Sequence, residues 1–139
     1  MTYLLDTSAC VDYLRRPDSI LRWWLTTGVL DSVRLCTVVR AELMVGAWKK
    51  TTERNRRDIM EFLELIESVP FDNNAADAYG KIRADLEQKG QIIGPYDLQI
   101  AAVAVSRGAT LVTGNEEEFQ RVPGLTCLPL KELAGKKPL

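Results

Sequence analysis

The sequence predicts an α/β domain: a central parallel sheet of four to five strands flanked by helices. Three observations carry this expectation. Short apolar runs with strand character recur along the chain, each followed by a stretch with helical periodicity. Those stretches are long enough to serve as the crossovers that parallel strands require. No internal repeat, low-complexity segment or linker breaks the alternation, so one domain over 1–130 with a C-terminal tail over 131–139 is expected.

The elements follow in order. Tyr3-Leu4-Leu5 reads as a first strand that stops at Asp6. Thr7 to Arg16 follows as a helix with Ala9, Cys10, Tyr13 and Leu14 on one stripe, and Pro17 ends it. Asp18-Ser19 can cap a second helix running through Thr27, with Gly28 as its stop. Arg34 to Val38 has strand character. Val39 to Lys50 and Thr51 to Glu67 read as helices, the latter with Ile59, Phe62, Leu63 and Ile66 at helical spacing. Val69-Pro70-Phe71 is a short strand or connector, and Asn74 to Lys89 a helix stopped by Gly90. Pro95 opens a helix to Arg107, where its missing N–H costs nothing, and Gly108 closes it. Ala109 to Thr113 is a strand, Glu116 to Arg121 a short helical turn, and Leu125 to Leu128 a last strand.

Composition narrows the chemistry. The chain of 139 residues contains no histidine. That excludes Ser-His-Asp and Cys-His catalysis, two-histidine RNA cleavage and His-ligated zinc. Cys10, Cys36 and Cys127 lack metal-ligand spacing and read as buried free thiols, which suits a reducing cytoplasm. No secretory signal or membrane-length apolar window is visible, so a cytoplasmic protein without membrane contact is expected. The net charge of -1 conceals an asymmetry, because residues 1–57 carry ten Lys/Arg against six Asp/Glu. A near-neutral total can hide a basic face.

Hydrolysis in such a chain must lean on carboxylates, hydroxyls, lysine or an oxygen-held metal. Asp6 follows an apolar strand, where it can cap the next helix, bind a cation, or do both. Glu42 lies on or beside the apolar face of its helix, among Val38, Val39, Val45 and Gly46; a salt bridge to Arg40 or Lys49 is the plain alternative, although Arg40 is on another side. Asp97 sits in the first turn of a helix that is apolar almost all round from Leu98 to Val105. Dipole pairing is the plain alternative for Asp97. Glu116-Glu117-Glu118 resembles a solvated acidic run, set apart by the preceding strand and by Phe119. Oxygen-only donors suit Mg²⁺ or Mn²⁺. In α/β sheets ligands bind beyond the carboxyl ends of strands, where both Asp6 and Thr113–Asn115 fall.

Four segments then occur in order: Leu4-Leu5-Asp6-Thr7-Ser8, Arg40-Ala41-Glu42-Leu43, Gly94-Pro95-Tyr96-Asp97-Leu98-Gln99-Ile100-Ala101-Ala102, and Leu111-Val112-Thr113-Gly114-Asn115 through Glu118-Phe119. Together with the Val122-Pro123-Gly124-Leu125 ending, they resemble PIN-domain nucleases, and within them the VapC toxins of bacterial toxin–antitoxin pairs. The resemblance covers nearly the whole chain. It implies a PIN-like fold and Mg²⁺- or Mn²⁺-dependent endonucleolytic cleavage of RNA. It also implies a cognate VapB-type antitoxin, a homodimer and a toxin–antitoxin hetero-oligomer. By position, Asp6 and Asp97 would be principal metal ligands, and Glu42 would ligate directly or through water. Thr7, Ser8 and Thr113 would be polar supports. The chain departs from the family pattern at Ser8, where Asn is common, and at Asn115, where a fourth acid often stands. Glu118 is the expected replacement, completing a catalytic set of Asp6, Glu42, Asp97 and Glu118, with Asn115 as a supporting polar group.

For RNA phosphates, Arg15, Arg16, Arg40, Lys49 and Lys50 are candidates, against ordinary surface charge. Trp23, Trp24 and Trp48 could stack on bases, against core or interface packing. A PIN nuclease of housekeeping RNA maturation and a non-catalytic PIN binding module stay open beside the toxin. A phosphoacceptor receiver is disfavoured, because Asp58 lies in a charged helix and no Lys follows the Leu111–Thr113 strand until Lys131.

Overall fold

A computed structural model describes residues 1–135. The strands β1 (Tyr3–Leu5), β2 (Val33–Cys36), β3 (Glu67–Val69), β4 (Thr110–Thr113) and β5 (Thr126–Pro129) form one five-stranded sheet, ordered β3-β2-β1-β4-β5. Every neighbouring pair is parallel. Around the sheet lie α1 (Thr7–Arg15), α2 (Ile20–Trp24), α3 (Thr37–Trp48), α4 (Glu53–Leu65), α5 (Asn73–Gln88), α6 (Pro95–Arg107), α7 (Glu116–Phe119) and α8 (Leu130–Ala134). The expected α/β class and parallel sheet are therefore present.

Successive strand residues face opposite sides. Leu4 and Leu5 are both fully buried, as are Leu111 and Val112, and Leu35 and Cys36. Both faces of the central strands are therefore covered, the usual condition of parallel sheets. Helix α6 explains much of that cover: Leu98 and Ile100 through Ala104 are buried on every side of it, and α5 packs along it. Gly108, at φ 63°, supplies the left-handed residue that ends α6 and turns the chain into β4.

Strand order fixes where a site can lie. From β1 the chain moves to one side for β2 and β3, and to the other for β4 and β5. The carboxyl ends of β1 and β4 therefore flank the switch point, where connections diverge and leave a crevice. The Asp6 N–H donates to the Val112 carbonyl at 3.1 Å, carrying the ladder to the lip of that crevice.

Several boundaries differ from expectation. The strand expected through Val38 ends at Cys36, and α3 begins at Thr37 rather than Val39. Val38 and Val39 favour strands by propensity, but burial of Val39 and Leu43 on the helix outweighs that preference. The helix expected to reach Glu67 stops at Leu65, because Glu67–Val69 pairs with Arg34–Cys36. The helix expected through Thr27 ends at Trp24 and relaxes into an irregular wide turn over Leu25–Val29. There the Thr26 and Thr27 hydroxyls each donate at 2.6 Å to the carbonyl three residues back, and Gly28 takes φ 93°. Of the expected tail, residues 131–134 are helical: they belong to α8, whose Leu133 is fully buried and which packs on α2 and β5. Residues 136–139 lie outside the described residues.

Candidate active site

Asp6 leaves β1 at the crevice and is 2 % exposed. Its carboxylate is surrounded by donors. The Ala9 N–H donates to Oδ1 at 2.8 Å, capping α1. Ser8 Oγ stands 2.7 and 2.8 Å from the two oxygens, and the Thr113 hydroxyl donates to Oδ2 from the end of β4. The loop after β4 is tied into the same group: Gly114 N–H donates to Ser8 Oγ and Asn115 N–H to Thr113 Oγ1, both at 2.9 Å. Capping and pinning thus share one side chain, as its two oxygens allow.

The other acids approach from three helices. Glu42 sits on α3, partly buried, and accepts the Thr7 hydroxyl at 2.8 Å. Its partner is this hydroxyl from α1, and among the described residues no salt bridge joins it to Arg40 or Lys49. Asp97 occupies the first turn of α6, positioned by Gly94 as cap and Pro95 as first residue. Glu118 projects from α7. Its Oε1 accepts the Gly94 N–H at 2.9 Å and its Oε2 accepts the Asn115 side-chain amide at 2.8 Å. Gly94 lies between two carboxylates, since a Cβ there would stand 3.8 Å from Glu118 Oε1 and 4.0 Å from Asp97 Oδ2.

Crowding of like charges marks the crevice electrostatically. Asp97 is pushed up to about 6, first by burial and then by the negative charges of Glu118, Asp6 and Glu42. Burial also raises Asp6, against the hydrogen bonds from Thr113, Ser8 and Ala9, which pull it down. Two acids held above their ordinary range mark a place that lacks positive charge.

The donor set is entirely oxygen, which fits a hard divalent cation. Among the described residues, no three Asp, Glu or Cys side chains already converge as a closed metal cage. Mg²⁺ in general keeps several waters and takes one or two carboxylates plus substrate phosphate. Asp6 and Asp97 are the acids whose shifts a cation would relieve. The cysteines stand apart from this chemistry. All three are free, and burial pushes the Cys10 thiol well above its ordinary range.

The expected site residues divide clearly by place. Asp6, Glu42, Asp97 and Glu118, with Thr7, Ser8, Thr113 and Asn115, gather at the crevice. Arg15 and Lys49 line a groove of about 300 Å³ that also contains Thr7 and Glu42. Arg16 turns away to Asp12 at 3.5 Å. Arg40 is exposed, two positions from Glu42 and therefore off its face. Lys50 is exposed just beyond α3. Trp24 is 5 % exposed, with Tyr3 edge-on to its ring at 4.9 Å, so packing explains it. The sequence reading missed the backbone N–H groups of Gly94 and Gly114. Both glycines adjoin motif residues, but only the fold shows that their amides meet Glu118 and Ser8.

Comparison with known proteins places this arrangement. The family model described as the PIN domain matches residues 3–125. The chain is 39% identical over 127 residues to Ribonuclease VapC2 of Rickettsia felis, covering 90% of this chain and 95% of that protein. It is 36% identical over 128 residues to the tRNA(fMet)-specific endonuclease VapC of Salmonella typhimurium, with the same coverage of 90% and 95%. Among solved structures, DNA-bound VapBC from Salmonella typhimurium superposes with a TM-score of 0.89 at 33% identity, covering 94% of this chain and 98% of that one. VapBC2 from Rickettsia felis, bound to a promoter DNA fragment, gives 0.84 at 37% identity, covering 93% and 98%.

Proposed function

We propose that this chain, which belongs to the PIN-domain family, is the endoribonuclease toxin of a toxin–antitoxin pair, held in check by a VapB-type antitoxin. The observation that carries the reading is the acidic crevice at the β1/β4 switch point, where burial first, and then the charges of Glu118, Asp6 and Glu42, push Asp97 up to about 6. Relatives named as VapC ribonucleases and structures of VapBC complexes support the same reading. Four carboxylates alone would repel a phosphodiester, so the reaction requires a cation.

Asp6 and Asp97 would hold Mg²⁺ or Mn²⁺, with Glu42 ligating directly or through water. Such an ion, when bound, supplies charge to offset the phosphate and lowers the pKa of a bound water. The protein's own groups do the rest. Ser8, Thr113 and the Ala9 N–H hold Asp6 in one orientation. Thr7 aims Glu42, which can take the proton from the attacking water. Gly94 N–H and Asn115 fix Glu118 at the far wall. The amide at position 115 thus serves the nearby acid, and Glu118 stands in for the acid often found at that position. The phosphodiester is cut when water oxygen bonds to phosphorus, the bond to the leaving ribose oxygen breaks, and that oxygen takes up a proton from solvent.

The purified chain is expected to cut RNA with Mg²⁺ or Mn²⁺ and to stop in EDTA. Asp6→Asn and Asp97→Asn are expected to abolish cutting while keeping the fold. Full activity in both variants would overturn the site. A tRNA is the first substrate to try, given the naming of relatives at 36% identity. Expression should arrest growth, with rescue by a VapB-type antitoxin gene beside its own; no arrest would count against the toxin role.

A further inference from the structure

We infer that Trp48 is a stacking platform for one unpaired base of the RNA strand, next in the chain to Lys49 of the groove that also holds Arg15 and Glu42; the inference rests on the ribonuclease reading above. Trp48 closes α3 and is 67% exposed, although tryptophan is on average a highly buried residue. Its ring is held in place. The Arg56 guanidinium lies 4.9 Å from the ring centroid. Arg56 is anchored in turn, its Nε donating to the Ala47 carbonyl at 2.7 Å and its Nη1 paired with Glu53 at 2.5 Å. One face of the indole is therefore backed by a fixed cation.

The sequence around Trp48 is rich in cations, although Arg15 and Arg54 also line a second groove with Asp58 and Glu61. Arg15, Lys49, Lys50, Arg54 and Arg57 take part in no salt bridge among the described residues. Lys49, next to Trp48, lines with Arg15 the groove that also holds Glu42 and Thr7. Glu42 and Trp48 are six residues apart on α3, about 9 Å along its axis. A strand laid in this groove would place a phosphate between Arg15 and Lys49 and the adjoining base over the indole.

The charge selects the occupant. Cations beside an open aromatic face suit a single-stranded nucleic acid, whose phosphates pair with the cations while a base stacks on the ring. A second copy docking here about a two-fold axis would bring the same cations against one another. A base inside a duplex has both faces stacked, so the strand must be unpaired at this nucleotide.

The test reads binding, not cutting, in the Asp97→Asn chain. The probe is a short single-stranded oligoribonucleotide, with a series carrying one abasic nucleotide at each position. Adding Trp48→Ala should weaken binding roughly 5- to 150-fold. Trp48→Tyr should restore most of it, and both variants should melt at the parent temperature, because the ring is exposed. One abasic position should weaken the Trp48 chain and leave the Trp48→Ala chain unaffected. In otherwise unsubstituted protein, the loss should fall on KM. Equal affinity with and without Trp48, or no binding of the oligoribonucleotide at all, would overturn the inference. So would loss of a dimer on Trp48→Ala in sedimentation, which would assign the ring to a subunit contact. Binding without cleavage by the unsubstituted chain would overturn the nuclease reading alone.

Discussion

Asp6 shows how one side chain can serve fold and chemistry together. It caps α1 through the Ala9 N–H and stands at the switch point with Ser8 and Thr113 donating to it. Removing a donor should be felt in its protonation. Thr113→Val is expected to raise Asp6 further, shift the acid limb of the pH–rate profile to higher pH, and lower activity about 10- to 100-fold. Asp97 gives a stability prediction of definite sign. Its folded value of about 6 lies above the ordinary 3.8, so the folded state prefers the protonated acid. The stabilisation this provides is complete below 3.8 and is lost as pH rises through about 6. Asp6 is raised as well and acts in the same direction. In EDTA, the denaturation midpoint should therefore fall between pH 4.5 and 7, less so in Asp97→Asn, and Mg²⁺ should restore it at pH 7. A profile that is flat in EDTA would show that burial and crowded charge do not raise these acids. At this scale the acids were legible, since strand ends and helix starts are readable positions. Their partners were not. Nothing in the spacing of Gly94 and Glu118 shows that an amide donates to a carboxylate 24 positions away.

Among the elements, α6 was the most legible, with Pro95 at its start, Gly108 at its end, and apolar residues on all sides. Each signal is local, so tertiary contacts did not have to supply it. The C-terminal segment was the least legible. Leu130–Ala134 is too short to form a helix alone, and only docking on α2 and β5 makes it one. Leu133 is fully buried there. Leu133→Ala is expected to cost about 2–5 kcal/mol in urea denaturation. A loss below about 0.5 kcal/mol, the range of ordinary surface substitutions, would return this segment to the status of a tail. The boundary between β2 and α3 belongs to the same class, because Val38 and Val39 fit a strand or a buried helix face equally well by composition.

Across the whole molecule, the charge asymmetry between the two parts of the sequence acquires a shape. Arg15 from α1 and Lys49, which caps α3, line one groove together with Glu42. Affinity for single-stranded RNA is expected to fall with rising salt, each phosphate contact adding about 0.7 to the slope of log affinity against log salt. Lys49→Ala should reduce that slope by about one contact, in filter binding across a salt series. An unchanged slope would place the phosphate path elsewhere. The net charge of -1 thus says little as a global index, because acids at the crevice and cations elsewhere on the surface cancel in the sum.

The sequence alone determined the class of this protein. Alternating strand and helix periods, the lack of histidine and four ordered motifs pointed to a parallel α/β nuclease of the PIN family, because each of those signals is local along the chain. Tertiary structure decided the strand order, the hydroxyl and amide donors that pin Asp6 and Glu118, the burial and crowding that raise Asp97, and which tryptophan faces solvent. Those properties arise from through-space neighbours brought together by burying both faces of the sheet, and no local period encodes them.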